Sequence, residues 1–117
     1  MGKITIPDTT ETFCYEPDEL LCMQAAHKRT IVFHIDTTSP QGFNTKVPCG
    51  NLKVFEDKVK DYPCFMRVHD KWVVNLKHVR SYTRNNIIKL KVNCCKQDID
   101  LDPNLRQMFK ERLRSVG

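Results

Sequence analysis

The sequence predicts a mainly β fold, a single domain over 1–117 with one short internal helix and one C-terminal helix. Three observations support this. Apolar residues alternate with polar ones along most of the chain, the period of a half-buried strand. Only two stretches change to a spacing of three and four. Pro, Asp, Asn and Gly punctuate the short runs, as turns between strands require. The 117 residues are 40% hydrophobic and 28% charged, ordinary values for a small domain that buries one core and does not remain disordered.

The elements follow in order. KITI (3–6), TFCY (12–15) and LLCMQA (20–25) read as short strands parted by Pro7, Asp8, Pro17 and Asp18. TIVFHI (30–35) is the strongest strand, being rich in β-branched and aromatic residues. The loop TTSPQG and then FNTKV (43–47) suggest an antiparallel hairpin. Asn51 can cap a helix whose apolar residues are Leu52, Phe55 and Val59, ending before Tyr62-Pro63. CFMRV (64–68), WVVN (72–75), VRSYT (79–83) and IIKLKV (87–92) return to strand patterning. Arg84-Asn85-Asn86 reads as the turn between the last two, since Asn tolerates positive φ. IDL (99–101) is a short final strand. Asp102 and Pro103 suit the N-cap and first position of a closing helix, with Leu105, Met108, Phe109 and Leu113 as its apolar stripe. Arg106, Lys110, Arg112 and Arg114 occupy its other positions.

Several function classes are excluded. No apolar run approaches the roughly 18 residues of a membrane span. MGKITIPDTT lacks the apolar core of a secretory signal. Glycine occurs only at 2, 42, 50 and 117, which leaves neither a dinucleotide-binding nor a Walker phosphate loop. Serine occurs only at 39, 81 and 115, never between two glycines, so there is no nucleophile elbow. HExxH is absent, and so is the early acidic pair of a receiver domain. An enzyme is not expected, nor is a cofactor.

The six cysteines are Cys14, Cys22, Cys49, Cys64, Cys94 and Cys95. Without an export signal a reducing cytoplasm is expected, and no CxxC pair marks a zinc or thioredoxin-like site. The thiols are therefore read as structural or incidental. The alternative is metal binding or thiol sensing through Cys64 or the Cys94-Cys95 pair. In a strand, that vicinal pair would point to opposite faces.

Charge is uneven. The chain carries +5, from 19 Lys+Arg against 14 Asp+Glu. Between Arg67 and Lys91, the cations Arg67, Lys71, Lys77, Arg80, Arg84, Lys89 and Lys91 face Asp70 alone. His27-Lys28-Arg29 forms a second basic cluster. Cations on one face neutralise phosphates and release counterions, whereas cations spread around a β surface serve solubility.

One segment narrows the choice. CFMRVHDKWVVNLKHVRSY, 64–82, resembles the signature of LytTR-type DNA-binding domains, roughly F-x-R-V-H-R-S-Y-I-V-N-L-x-x-I. Phe65, Arg67, Val68, His69, Val74, Asn75 and Leu76 match outright. Trp72 stands at the aromatic position, and Val73 and Val79 at branched ones. PDELLCMQA is similar to the family's opening strand, GNLKVFEDKV to its short helix, and IDLDPNLRQMFKERL to its closing element. The likeness covers the chain from about Ile4 onward.

The resemblance implies an elongated stack of small antiparallel sheets with little helix. It implies a bacterial transcription regulator, usually the output half of a two-component response regulator, that inserts loops into successive major grooves of bent DNA. His27, Lys28 and Arg29 would contact bases in the first loop. Arg67, Lys71 and Asn104 would anchor phosphates, and Arg106 sits one helical turn beyond. Two of the three reading loops depart from the family. Asp70 stands where Arg, Lys or Asn is usual, and Asp102-Pro103 stand where a Ser-Arg pair is usual. Expected partners are double-stranded DNA, a second copy on repeated half-sites and a separate receiver or sensor chain, in the cytoplasm and away from membranes. The competing expectation is a protein-interaction domain of the same fold that has lost specific DNA reading, motivated by Asp70, Asp98, Asp100 and Asp102. His69 and Asn75 are read as structural, and Trp72 as core.

Overall fold

The computed structural model describes residues 3–116. Ten strands and two α-helices alternate with three 3-10 turns. β1 (Ile4–Pro7) and β2 (Thr12–Tyr15) form a two-stranded sheet. β3 (Leu20–Ala26), β4 (Arg29–Ile35), β5 (Phe43–Lys46), β6 (Phe65–His69) and β7 (Trp72–Asn75) form a five-stranded sheet in the order β5-β4-β3-β7-β6. β8 (Val79–Tyr82), β9 (Ile87–Leu90) and β10 (Ile99–Asp100) form a third sheet, in the order β10-β9-β8. Every pairing is antiparallel. The molecule measures 42 × 31 × 30 Å.

The five-stranded sheet is buried on both faces because its side chains alternate between two cores. Val32, Phe65 and Val73 face one core, shared with Ile4, Ile6 and Tyr15 of the first sheet and with Leu52, Phe55 and Val59 of α1 (Leu52–Val59). Phe33, Met66, Val68, Trp72 and Val74 face the other, shared with Ile88, Leu90, Ile99 and Phe109. All four residues of β7 are consequently buried, as the continuous apolar run Trp72-Val73-Val74 requires. A bulge between Leu20 and Cys22 puts Leu21 and Cys22 on the same core.

The helices follow the sequence with one difference. Asn51 caps α1, its side chain accepting a hydrogen bond from Val54 N at 3.2 Å. The closing segment begins as a 3-10 turn, Pro103–Leu105, before α2 (Arg106–Val116). Asp102 Oδ1 accepts from Asn104 N at 2.9 Å. The apolar stripe is narrower than expected. Phe109 is fully buried, flanked by Leu105, Leu113 and Val116, while Met108 turns outward at 50% exposure.

β9 is shorter than its sequence pattern. It stops at Leu90 because its partner β8 begins at Val79, directly opposite. Lys91 N instead donates to His78 O of the 3-10 turn Leu76–His78, at 2.8 Å. Cys94 and Cys95 thus lie in the β9–β10 loop and not in a strand. β6 is an edge strand, yet its outer carbonyls are occupied. Phe65 O accepts from Arg112 Nη2 at 2.7 Å, and Val68 O from Asp102 N at 2.7 Å.

Candidate nucleic-acid interface

Backbone pairing brings four turns to one end of the molecule. β3 turns into β4 through His27-Lys28, and β6 into β7 through Asp70-Lys71. β3 lies beside β7, and Ala25 N donates to Lys71 O at 2.9 Å, so these two turns are neighbours. The Asp102 N to Val68 O bond places the turn before α2 beside β6. Leu101 N donates to Asn86 O at 2.8 Å, which adds the β8–β9 turn to the row. His27 (φ 57) and Asn86 (φ 62) take the left-handed conformation that tight reversals need.

The residues expected to meet DNA differ in how free they are. His27, Lys28 and Arg29 are exposed on the first turn. Arg29 Nη1 also donates to Val47 O at 3.2 Å. Lys71 is exposed on the second turn, and its ammonium has no partner among the described residues. Asn104 is exposed on the third, its backbone N donating to the Asp102 cap.

Arg67 and Arg106 are committed inside the protein. Arg67 donates from Nη1 to Glu56 Oε1 at 2.7 Å, from Nε to His69 O at 2.9 Å and from Nη2 to Asp70 O at 2.7 Å. It therefore shapes the Asp70-Lys71 turn and ties it to α1, leaving little of its charge for a phosphate. Arg106 Nη1 donates to Asn86 Oδ1 at 2.6 Å and to Thr83 O at 3.1 Å, and its guanidinium stacks 5.2 Å from the Tyr82 ring centroid. It fastens the β8–β9 turn to α2. That turn presents Arg84 and Asn85, both exposed, which the linear reading placed in a turn without linking them to the other three. The signal was present in Arg84-Asn85-Asn86, but only the fold shows where that turn lies.

The seven cations between Arg67 and Lys91 do not share a face. Lys77 sits at the opposite end of β7, with its ammonium 3.2 Å from Asp18 Oδ1. Arg80 and Lys89 line the cleft between the second and third sheets. Only Lys71 and Arg84 join the row of turns, together with Asp70 and Asp102.

His69, Asn75 and Trp72 are placed as structural residues. His69 Nδ1 accepts from Lys71 N at 3.2 Å, which closes the hairpin. Asn75 is fully buried. It donates to Pro17 O at 3.0 Å and Leu20 O at 2.8 Å and accepts from Lys77 N at 3.1 Å. Trp72 is 2% exposed.

A stack of small antiparallel sheets with one internal and one terminal helix is the LytTR fold. A solved LytTr DNA-binding domain of a response regulator from Bacillus cereus has this architecture. The two superpose with a TM-score of 0.69 at 18% identity, over 97% of each chain. No protein-family model matches the sequence, and no curated protein does. No helix among the described residues is long and apolar enough to cross a membrane.

Proposed function

We propose that this chain is a sequence-specific, double-stranded DNA-binding domain that regulates transcription from the cytoplasm. The observation that carries the reading is the row of turns at one end of a LytTR fold. It presents His27, Lys28, Arg29, Lys71, Arg84 and Asn104 side by side. Lys71, Arg84 and Asn104 supply phosphate contacts, and His27, Lys28 and Arg29 reach base edges in the major groove. Arg67 and Arg106 hold those turns in shape and do not touch DNA. Nothing in the reading requires catalysis. Two copies would occupy repeated half-sites, and a receiver or sensor on a separate chain would supply the input.

Enrichment from a pool of random duplexes at two salt concentrations tests this. A short repeated motif is expected, with affinity falling steeply as salt rises. Lys28→Ala with Arg29→Ala should weaken binding and reduce the salt slope by roughly one to two. Unchanged binding by that pair would remove the first turn from the interface.

A second reading has its own observation. Asp70 and Asp102 stand in the same row of turns, where carboxylates repel phosphates. On this reading the row meets a protein partner, and the random pool yields weak binding with no enriched motif.

A further inference from the structure

Three of the six cysteines meet although they are far apart in sequence. Cys22 belongs to β3, while Cys94 and Cys95 belong to the β9–β10 loop. Cys22 Sγ lies 3.5 Å from Cys95 Sγ, and Cys94 Sγ lies 3.4 Å from Cys95 Sγ. All three sulfurs fall within 4.8 Å of one another. We propose that Cys22, Cys94 and Cys95 form a three-thiolate site for a soft, thiophilic metal ion of the copper(I) class, tying the five-stranded sheet to the third sheet.

The spacing suits an ion. A metal with thiolate bonds of about 2.3 Å holds its sulfurs roughly 3.8–4.0 Å apart in tetrahedral or trigonal geometry. The separations of 3.4 and 3.5 Å lie a few tenths of an ångström below that range, and small rotations about the Cα–Cβ bonds open them to it. The donor set selects the class. Thiolates favour copper(I) and other soft ions over hard ones. Structural zinc almost always takes four protein ligands, and no fourth His, Cys, Asp or Glu joins this group among the described residues.

The surroundings suit thiolates as well. Cys94 and Cys95 border an open cleft of about 1010 Å³ that also carries Arg80, Lys89 and Lys96 against Asp98. Thiols give up their protons as they ligate a metal ion, so uptake at this site releases protons. A disulfide would need only two sulfurs. The third converging thiol, and a loop fastened at the same place by Gln24 Nε2 to Gln97 Oε1 at 2.8 Å, describe a cage.

The test uses the full reduced chain without oxygen. Cys14 and Cys49 are exposed, so Cys14→Ser with Cys49→Ser removes thiols that would scavenge metal. Copper(I) is titrated into this variant against a chromophoric copper(I) chelator. One equivalent per monomer held against the chelator is expected, with the partly buried Cys95 becoming shielded from alkylation once copper(I) is bound. Cys95→Ser and Cys94→Ser, added singly, should each lose that equivalent. Circular dichroism confirms that they fold, and Cys95 is only partly buried, which keeps its variant informative. Retention of copper by Cys95→Ser, failure of the parent to compete, tighter binding of zinc than of copper(I), or one ion per two chains would each overturn the proposal.

Discussion

Asn75 shows what a single buried polar residue can hold. Its amide closes β7, the strand before it in space and the turn after it in sequence, all through backbone groups. Asn75→Ala leaves one buried and two part-buried backbone groups without their partner and should destabilise the protein by about 2–3 kcal/mol, read from the midpoint of chemical denaturation. A loss below roughly 0.5 kcal/mol, the range of an ordinary surface change, would contradict the role. Tyr15 bears on pH. Burial, with the Glu19 charge beside it, raises its phenol above the ordinary value. The unfolded chain therefore ionises first, and the folded state binds the proton more tightly. This contribution is complete below the unfolded pKa of 10.0 and is lost as pH rises through the higher folded value. Tyr15→Phe should flatten the alkaline fall in stability measured by thermal melting above that pH. The position of Asn75 was legible, because it stands at a fixed offset within a specific motif. Its partners were not, since Pro17 and Leu20 lie more than fifty residues away.

At the scale of elements, period and capping located nearly every strand and helix, and errors fell where a neighbour decides the outcome. β9 ends early because β8 offers nothing further to pair with. α2 starts late because Asp102 and Pro103 first make a 3-10 turn, and Met108, about 100° around the helix from Phe109, lies outside the apolar stripe. Two adjacent substitutions separate the observed stripe from the expected one. Phe109→Ala should cost about 3–5 kcal/mol through the cavity it leaves. Met108→Ala should stay within about 0.5 kcal/mol. Equal losses in a denaturation series would mean the helix is rotated from the position described. The vicinal cysteines follow the same logic. A strand would have split Cys94 and Cys95 to opposite faces, whereas a loop lets both sulfurs turn toward Cys22.

At the scale of the whole molecule, neighbours in sequence were poor guides to neighbours in space. The run of cations between Arg67 and Lys91 left one face or a spread surface open, and strand reversal spreads it, sending Lys77 to the far end and Arg80 and Lys89 to the cleft. The row of turns is assembled instead from four distant stretches. A comparison of salt slopes follows from this geometry. Lys77→Gln should leave the salt dependence of DNA binding unchanged, while Lys28→Gln lowers it by roughly one. If the two variants shift the slope equally, DNA contacts extend to the far end and the proposed interface is too small. The closed edge of β6 has a consequence for association. An incoming strand from another chain needs free carbonyls and amides, and on β6 Arg112 and the Asp102 amide already occupy two of the carbonyls. The opposite edge, β5, is four residues long with Asn44, Thr45 and Lys46 along it. Strand addition to this sheet is thereby directed to a short, polar, lysine-bearing edge, a form that resists aggregation.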